Sequence, residues 1–215
     1  MRNRISLAIL ISGNGTNLQA IIDSISNKKL FADIKIVISN NINAFGLKRA
    51  KENNIKTLYL DHKKFNDRES FDQKLIKAIK QEKTDLIVLA GFMRILGKNF
   101  VRSFQNKIIN IHPSLLPKYP GLNTHKKVLE NKEKEHGVTV HLVDEGLDSG
   151  PILGFMKLKV KNNEKESELE SRIHDLEHSI YPKILSEFQE GRISSIDNKI
   201  KIDNVFHKNG KEYYI

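Results

Sequence analysis

The chain has 215 residues, with 36 lysines and arginines against 26 aspartates and glutamates, a formal charge of +10, and 39% hydrophobic residues. That apolar share excludes a disordered chain, and the longest apolar run, Leu86–Met93, falls far short of the ~20 residues of a membrane helix. The absence of cysteine excludes a disulfide scaffold, a thiol nucleophile and every thiolate metal site.

The length favours one α/β domain with a full core. The basic start Met1-Arg-Asn-Arg4 precedes an apolar run too short for a signal-peptide core, so the expectation is a soluble, cytoplasmic protein with no membrane partner. A pI near 9.6 raises the question of nucleic acid. Only eight of the basic residues are arginines, the lysines are scattered among acids, and runs such as Lys28-Lys29 and Lys126-Lys127 stop at pairs. No arginine stripe or basic groove with stacking aromatics is visible, so the reading is a solvated, lysine-rich surface and no nucleic-acid partner.

In chain order, Ser6–Ser12 is a short apolar run ending at glycines and predicts a buried strand. Asn17–Ser26 carries Leu18, Ile21, Ile22 and Ile25 at amphipathic spacing, a helix. Asp33–Ser39, dense in β-branched residues, is a second strand. Asn43–Asn53 reads as a helix, Lys56–Leu60 as a short strand, and Arg68–Gln81 as a longer helix. Asp85–Ala90 is apolar on both faces, like a strand in the middle of a parallel sheet. This alternation predicts βαβ units with right-handed crossovers, hence an α/β, Rossmann-like, doubly wound and mostly parallel sheet.

The second half differs. Lys107–Ile111 is another strand, after which Ile111–His136 has no sustained period and holds three of the five prolines, Pro113, Pro117 and Pro120. So long an irregular segment is functional or disordered, and Leu115, Leu116, Tyr119 and Leu122 argue against disorder. Gly137–Asp144 alternates like a strand and Pro151–Val160 is its expected hairpin partner. Glu166–Gln189 is the last helix, which Pro182 should kink or restart. Residues 191–215 read as an edge strand or a tail.

Four segments carry chemistry. Ser12-Gly-Asn-Gly-Thr-Asn17 lies between the first strand and its helix, where glycines let backbone approach an anion and the helix N-terminus favours negative charge. Thr16 or Asn17 can cap that helix. Leu18 replaces the third glycine of a dinucleotide fingerprint, Ser39-Asn40-Asn41 offers no acid for a ribose, and the P-loop Lys-Ser/Thr is missing, so a phosphate monoester fits best. In Asn110-Ile-His-Pro-Ser-Leu-Leu-Pro117, Asn110 and His112 project to the same side of a strand's end. An amide beside an imidazole can hold an oxyanion and supply a proton. Asp144-Glu-Gly-Leu-Asp-Ser-Gly-Pro151 reads as a solvated turn, yet a carboxylate from it brought near His112 would raise the imidazole's pKa and keep it protonated. His174-Asp-Leu-Glu177-His178 matches an inverted zinc-hydrolase motif, but in a chain with eight histidines a chance match is unsurprising, and zinc would leave the other segments without a role. No metal is expected.

Taken together, Ile11–Ala20, Ala90–Leu96, Ile109–Pro117, Lys118–His125, His136–His141 and Gly146–Pro151 resemble, in order, the phosphoribosylglycinamide formyltransferases, folate-dependent enzymes of purine synthesis. The resemblance runs from about Leu7 to Ile193. It implies transfer of a formyl group from 10-formyltetrahydrofolate, as cosubstrate, to the amine of glycinamide ribonucleotide, with Asn110, His112 and Asp148 as the catalytic trio. It further implies that Gly15, Thr16, Asn17 and Leu18 cradle the substrate phosphate and that Glu177 binds the glycinamide end. Arg68, Met93, Arg94, Ile95 and Leu96, with Asn110 and the loop Asp144, Glu145, Gly146, Leu147 and Asp148, would line the folate site. His141 is an active-site neighbour or a strand residue.

On this basis the chain is a single formyltransferase domain. Residues 1–100 form its nucleotide and phosphate half, 101–190 its catalytic and folate half, and 191–215 a tail. Its partners are small-molecule substrates, and no protein partner is deducible. A methionyl-tRNA formyltransferase would add a tRNA-binding domain where about 25 residues remain. A formyltetrahydrofolate hydrolase would place a regulatory domain before the first strand. A basic nucleic-acid-binding protein that had lost catalysis would have no need of Asn110, His112 and Asp148.

Overall fold

A computed structural model describes residues 4–196 and 199–214. The chain divides into two compact units, Met1–Asn110 and Ile111–Ile215.

The first unit alternates strand and helix: β1 (Ile5–Ile11), α1 (Thr16–Ser26), β2 (Ala32–Ser39), α2 (Phe45–Glu52), β3 (Thr57–Tyr59), α3 (Arg68–Gln81), β4 (Leu86–Leu89), α4 (Lys98–Ser103) and β5 (Ile108–His112), the last running into the second unit. The strands pair in parallel in the order β5-β4-β1-β2-β3. Leu7 to Ile11 are fully buried, as a central parallel strand covered on both faces requires. Chain order reverses between β1 and β4, so their carboxyl ends flank the crevice where open α/β sheets bind ligands. The doubly wound, mostly parallel reading of the sequence holds. The hexapeptide α4 escaped it, being too short to show a period.

The second unit contains α5 (Thr124–Glu130), β6 (Glu135–Leu142), β7 (Ile152–Lys159), α6 (Glu166–Gln189), β8 (Ile193–Ile196), β9 (Lys199–Ile202), β10 (Val205–His207) and β11 (Lys211–Glu212). β6 and β7 form the expected antiparallel hairpin, with a register shift between Val140 and His141, and α6 packs on both strands. Three sequence expectations need correction here. Ile111–His136 is not irregular throughout, because it holds α5 and the start of β6; α5 buries only Thr124 and Val128, too few to announce a helix. The helix α6 runs unbroken through Pro182, and burial of Ile180, Tyr181, Ile184 and Leu185 around the proline offsets a cost of ~3 kcal/mol. The segment after residue 190 is both small sheet and edge strand: β8-β9-β10 form an antiparallel sheet and β11 adds to β7 in parallel. Its anchor is Glu187, 3% exposed, which accepts a hydrogen bond from the Tyr213 hydroxyl and faces Arg192 and Lys211.

Candidate active site

In the first unit, the turn after β1 is built from backbone. Gly15 is left-handed (φ 74°), and a Cβ there would lie 2.7 Å from the Gly46 Cα, so both positions depend on glycine. The Gly46 amide donates to the Gly13 carbonyl at 3.2 Å, and the Arg49 guanidinium donates to the Asn14 carbonyl and side-chain oxygens at 3.0 and 3.1 Å. Gly15 is itself the residue before α1, and no side chain caps the helix. The expected cap by Thr16 or Asn17 is therefore absent: the left-handed glycine places both inside the helix. The first amides of α1, which include Thr16, Asn17 and Leu18, carry the positive end of the helix dipole, worth about 0.3–1 kcal/mol toward an anion. Asn17 is 8% exposed.

Nearby in the same unit, the Ser12 hydroxyl donates to Asn40 at 2.6 Å and accepts the Met93 amide at 2.8 Å, tying the end of β1 to the segment after β4. That segment leaves Met93 and Ile95 exposed, with Leu96 half-buried, while the Arg94 guanidinium lies 5.2 Å from the Phe71 ring centre. Arg68 opens α3 beside a cavity of about 330 Å³ that also touches Asp72 and Gly97. Asp72 accepts the Gly97 amide at 2.7 Å, and burial raises its carboxyl above the ordinary range. Asn110 ends this unit, half-buried on β5 and in register with Leu89.

In the second unit, side chains far apart in sequence converge. His112, the last residue of β5, is 5% exposed. Its Nε2 lies 2.9 Å from the Tyr119 carbonyl, which can only accept, so Nε2 carries a hydrogen. Its Nδ1 faces Asp148 Oδ2 at 3.4 Å. That same oxygen accepts the Gly121 amide at 2.9 Å. The other oxygen, Oδ1, faces His141 Nε2 at 3.6 Å, and His141 Nδ1 donates to the Leu142 carbonyl at 2.8 Å. The irregularity beside His141 in β6 is the kind of local break that re-aims a side chain next to a site. Asp148 is held in the left-handed region (φ 50°), an uncommon place for a non-glycine residue. Before it, Asp144 accepts the Gly146 amide and the Ser149 hydroxyl at 3.0 and 2.8 Å, with Glu145 and Leu147 exposed at the loop's tip.

The proline-rich stretch is pinned. Thr139 donates to the Ser114 carbonyl at 2.7 Å and accepts the Leu116 amide at 3.1 Å, while Ser114 donates to the Lys118 carbonyl at 2.7 Å. Tyr119, left-handed at φ 54°, donates its hydroxyl to Glu133 at 2.9 Å. These bonds fix the carbonyl that His112 meets.

Electrostatics correct one expectation. Asp148 does pull the His112 imidazole upward, but burial pushes it down more strongly, with His141 and Lys127 adding to that push; the ring titrates below its ordinary value instead of being held protonated. Burial would raise Asp148 itself, yet the nearby His141 ring, the Gly121 amide and the charge of His112 hold its carboxyl below the usual range.

A second histidine pair had no sequence signal, its members being eleven residues apart: His125 Nδ1 lies 3.0 Å from His136 Nε2. Burial, then the charge of His125, pushes His136 down to about 4. On α6, Glu177 is 5% exposed, and the His174 and His178 rings lie stacked, 12° apart in plane. Among the described residues no group of three or more His, Cys, Asp or Glu is arranged to hold a metal ion, and no helix is long and apolar enough to cross a membrane.

The family model described as Formyl transferase matches residues 5–185. A phosphoribosylglycinamide formyltransferase of Escherichia coli (strain K12) is 44% identical over 198 residues, which cover 92% of this chain and 93% of that one. The trifunctional purine biosynthetic protein adenosine-3 of Drosophila melanogaster is 45% identical over 192 residues, 88% of this chain but 14% of that longer protein. Among solved structures, a phosphoribosylglycinamide formyltransferase from Coxiella burnetii superposes with a TM-score of 0.94 at 46% identity, covering 98% of this chain and 100% of the other.

Proposed function

The chain belongs to the Formyl transferase family, and from that premise we propose that it moves the formyl group of 10-formyltetrahydrofolate onto the amine of glycinamide ribonucleotide, in purine biosynthesis. The observation that carries this reading is the buried imidazole–carboxylate contact of His112 and Asp148, a proton-handling pair that needs neither thiol nor metal.

The substrate amine attacks the formyl carbon, and negative charge grows on the formyl oxygen. Collapse of that adduct breaks the bond from the formyl carbon to the folate nitrogen. The proton lost by the attacking amine passes to that nitrogen, so tetrahydrofolate leaves with it neutral. The Asn110 amide, two residues before His112 on one strand, donates to the formyl oxygen; a donor of this type is worth ~2.7–4 kcal/mol of barrier. His112 supplies the second donor. Its Nδ1 is turned to Asp148, so Nε2–H acts, and the reacting oxygen takes the place that the Tyr119 carbonyl holds in the free protein. Because burial favours the neutral ring, Asp148 is what makes a protonated His112 accessible during turnover.

Gly15, Thr16, Asn17 and Leu18 hold the nucleotide's phosphate through the bare helix N-terminus. Glu177 meets the glycinamide amine. The folate, which supplies the activated formyl carbon, suits the chain's own residues: Met93 and Ile95 in the first unit, and Leu147 in the second, keep apolar side chains exposed, the kind of surface a flat ring stacks on. Arg68, Arg94, Leu96 and the loop Asp144–Asp148 complete that lining, and surplus lysine favours capture of both anionic substrates.

The test is an assay following loss of 10-formyltetrahydrofolate with and without glycinamide ribonucleotide. Loss that depends on the nucleotide supports the proposal. Loss that ignores it indicates a hydrolase, and no turnover removes the enzymatic reading.

A further inference from the structure

Two successive carbonyls of the turn after β1 are held by α2. The Gly13 carbonyl accepts the Gly46 amide at 3.2 Å, and the Asn14 carbonyl accepts Arg49 Nε at 3.0 Å. Both peptides are trans, and in a planar trans peptide the C=O and the following N–H point in opposite directions. The Asn14 and Gly15 amides therefore face away from α2, and among the described residues neither donates to a protein acceptor. Gly15, left-handed, then gives its carbonyl to the Gln19 amide at 2.9 Å, at the start of α1. Consecutive amides running into a left-handed residue make a concave nest that suits an anion.

Arg49 holds more than the one carbonyl. Its Nη2 donates to Asn14 Oδ1 at 3.1 Å and its Nη1 to Gln19 Oε1 at 3.2 Å, so one planar fork ties the turn to α1 and α2 together. The Phe45 ring, its centre 4.8 Å from the guanidinium carbon, supports the cation from one face. All three acceptors are neutral, so the guanidinium charge stays available to an anion at the turn. The close approach of α2 depends on Gly46, where a Cβ would lie 2.5 Å from Ile11 Cδ1.

We propose that Arg49 is a positioning residue for phosphate: by gripping both oxygens of Asn14 it keeps the Asn14 and Gly15 amides turned toward the ligand. This deepens the reading of the turn as the nucleotide's phosphate site and rests on it. A lysine would keep the charge, but its single nitrogen on a flexible stem cannot fill three planar positions at once. Lys48 is the control for charge alone. It carries an equal charge on the same helix, lies 5.4 Å from the same Phe45 ring and pairs with Glu52 at 3.8 Å.

The experiment titrates inorganic phosphate, at fixed pH, into the nitrogen-labelled full chain and follows amide and arginine Nε resonances by NMR. KM for glycinamide ribonucleotide and kcat are measured beside it, in wild type, Arg49→Lys and Lys48→Met. In wild type, the Asn14 and Gly15 amides and Arg49 Nε should shift together with one midpoint. R49K should weaken phosphate binding and raise the nucleotide KM by about tenfold, with kcat at saturating nucleotide kept within about twofold. K48M should change each of these by less than about twofold. Wild-type phosphate affinity in R49K, a loss in K48M as large as in R49K, or a fall in kcat with KM unmoved overturns the proposal. So does an Arg49 Nε or an Asn14 or Gly15 amide that ignores phosphate, a wild-type result that decides the matter even if R49K fails to fold. The phosphate response as stated, without formyl transfer, would overturn the functional reading alone.

Discussion

The turn after β1 and the cluster around Asp148 are two different ways of making a site. The first is local: six consecutive residues, two of them glycines, lead into a helix start that no side chain caps. The second is assembled from residues 112, 119, 121, 141 and 148, and its properties come from burial and from charge–charge competition. A backbone site holds its partial charge at every pH, whereas the cluster contains His112, a group whose charge depends on pH. Binding assigned to the turn should therefore follow only the ligand phosphate's own second ionisation, near pH ~6, whereas chemistry assigned to the cluster should also follow the protein's side chains.

Substitutions can break this contrast. The largest effect is expected for His112→Ala, which should lower kcat by about 10²–10⁴-fold while the KM for the nucleotide changes little. Equal losses in binding and turnover would put His112 on the binding side of the comparison. Next comes the pH dependence of stability. His136 titrates at about 4 in the folded protein, below its ordinary value, so between about pH 6.5 and 4 the unfolded chain binds the extra proton. Stability should be full above that window and fall across it as pH drops, by on the order of 2–3 kcal/mol. Denaturant melts at pH 7 and pH 5 should show the loss, and His136→Asn should flatten it.

A smaller effect belongs to the backbone site. Gly15→Ala forces a side chain into a left-handed position against Gly46, with an expected cost of about 1–3 kcal/mol in thermal or denaturant unfolding and a raised nucleotide KM at every pH. A KM change confined to one side of neutrality would refute the division between the two regions. The smallest is Thr16→Ala. Because Thr16 does not cap α1, stability should stay within about 0.5 kcal/mol of wild type, and only nucleotide affinity should weaken.

Much of the first unit was legible because its signals are local. Apolar runs such as Leu7–Ile11 flanked by glycine, and the periodic face of α3, specify element and direction without reference to the rest of the chain. The short helices α4 and α5 were not, since six or seven residues with two buried positions carry no usable period. Pro182 misled because its local cost is outweighed by the packing of a 24-residue helix on a hairpin. The meeting of His112 and Asp148 is legible in the sequence, and the carboxylate does pull the imidazole upward, but the net shift is downward because burial, which no local pattern reveals, outweighs it.

By itself the sequence determined the strand–helix alternation, the glycine turn and the residue types available for chemistry, because these depend on backbone freedom and side-chain periodicity within a few residues. Only the tertiary structure decided which ionisable groups meet. It brought His141 to the far oxygen of Asp148, paired His125 with His136 and closed the Tyr119 carbonyl onto His112. Ionisation depends on the water removed and the charges brought near, and both are properties of the folded chain.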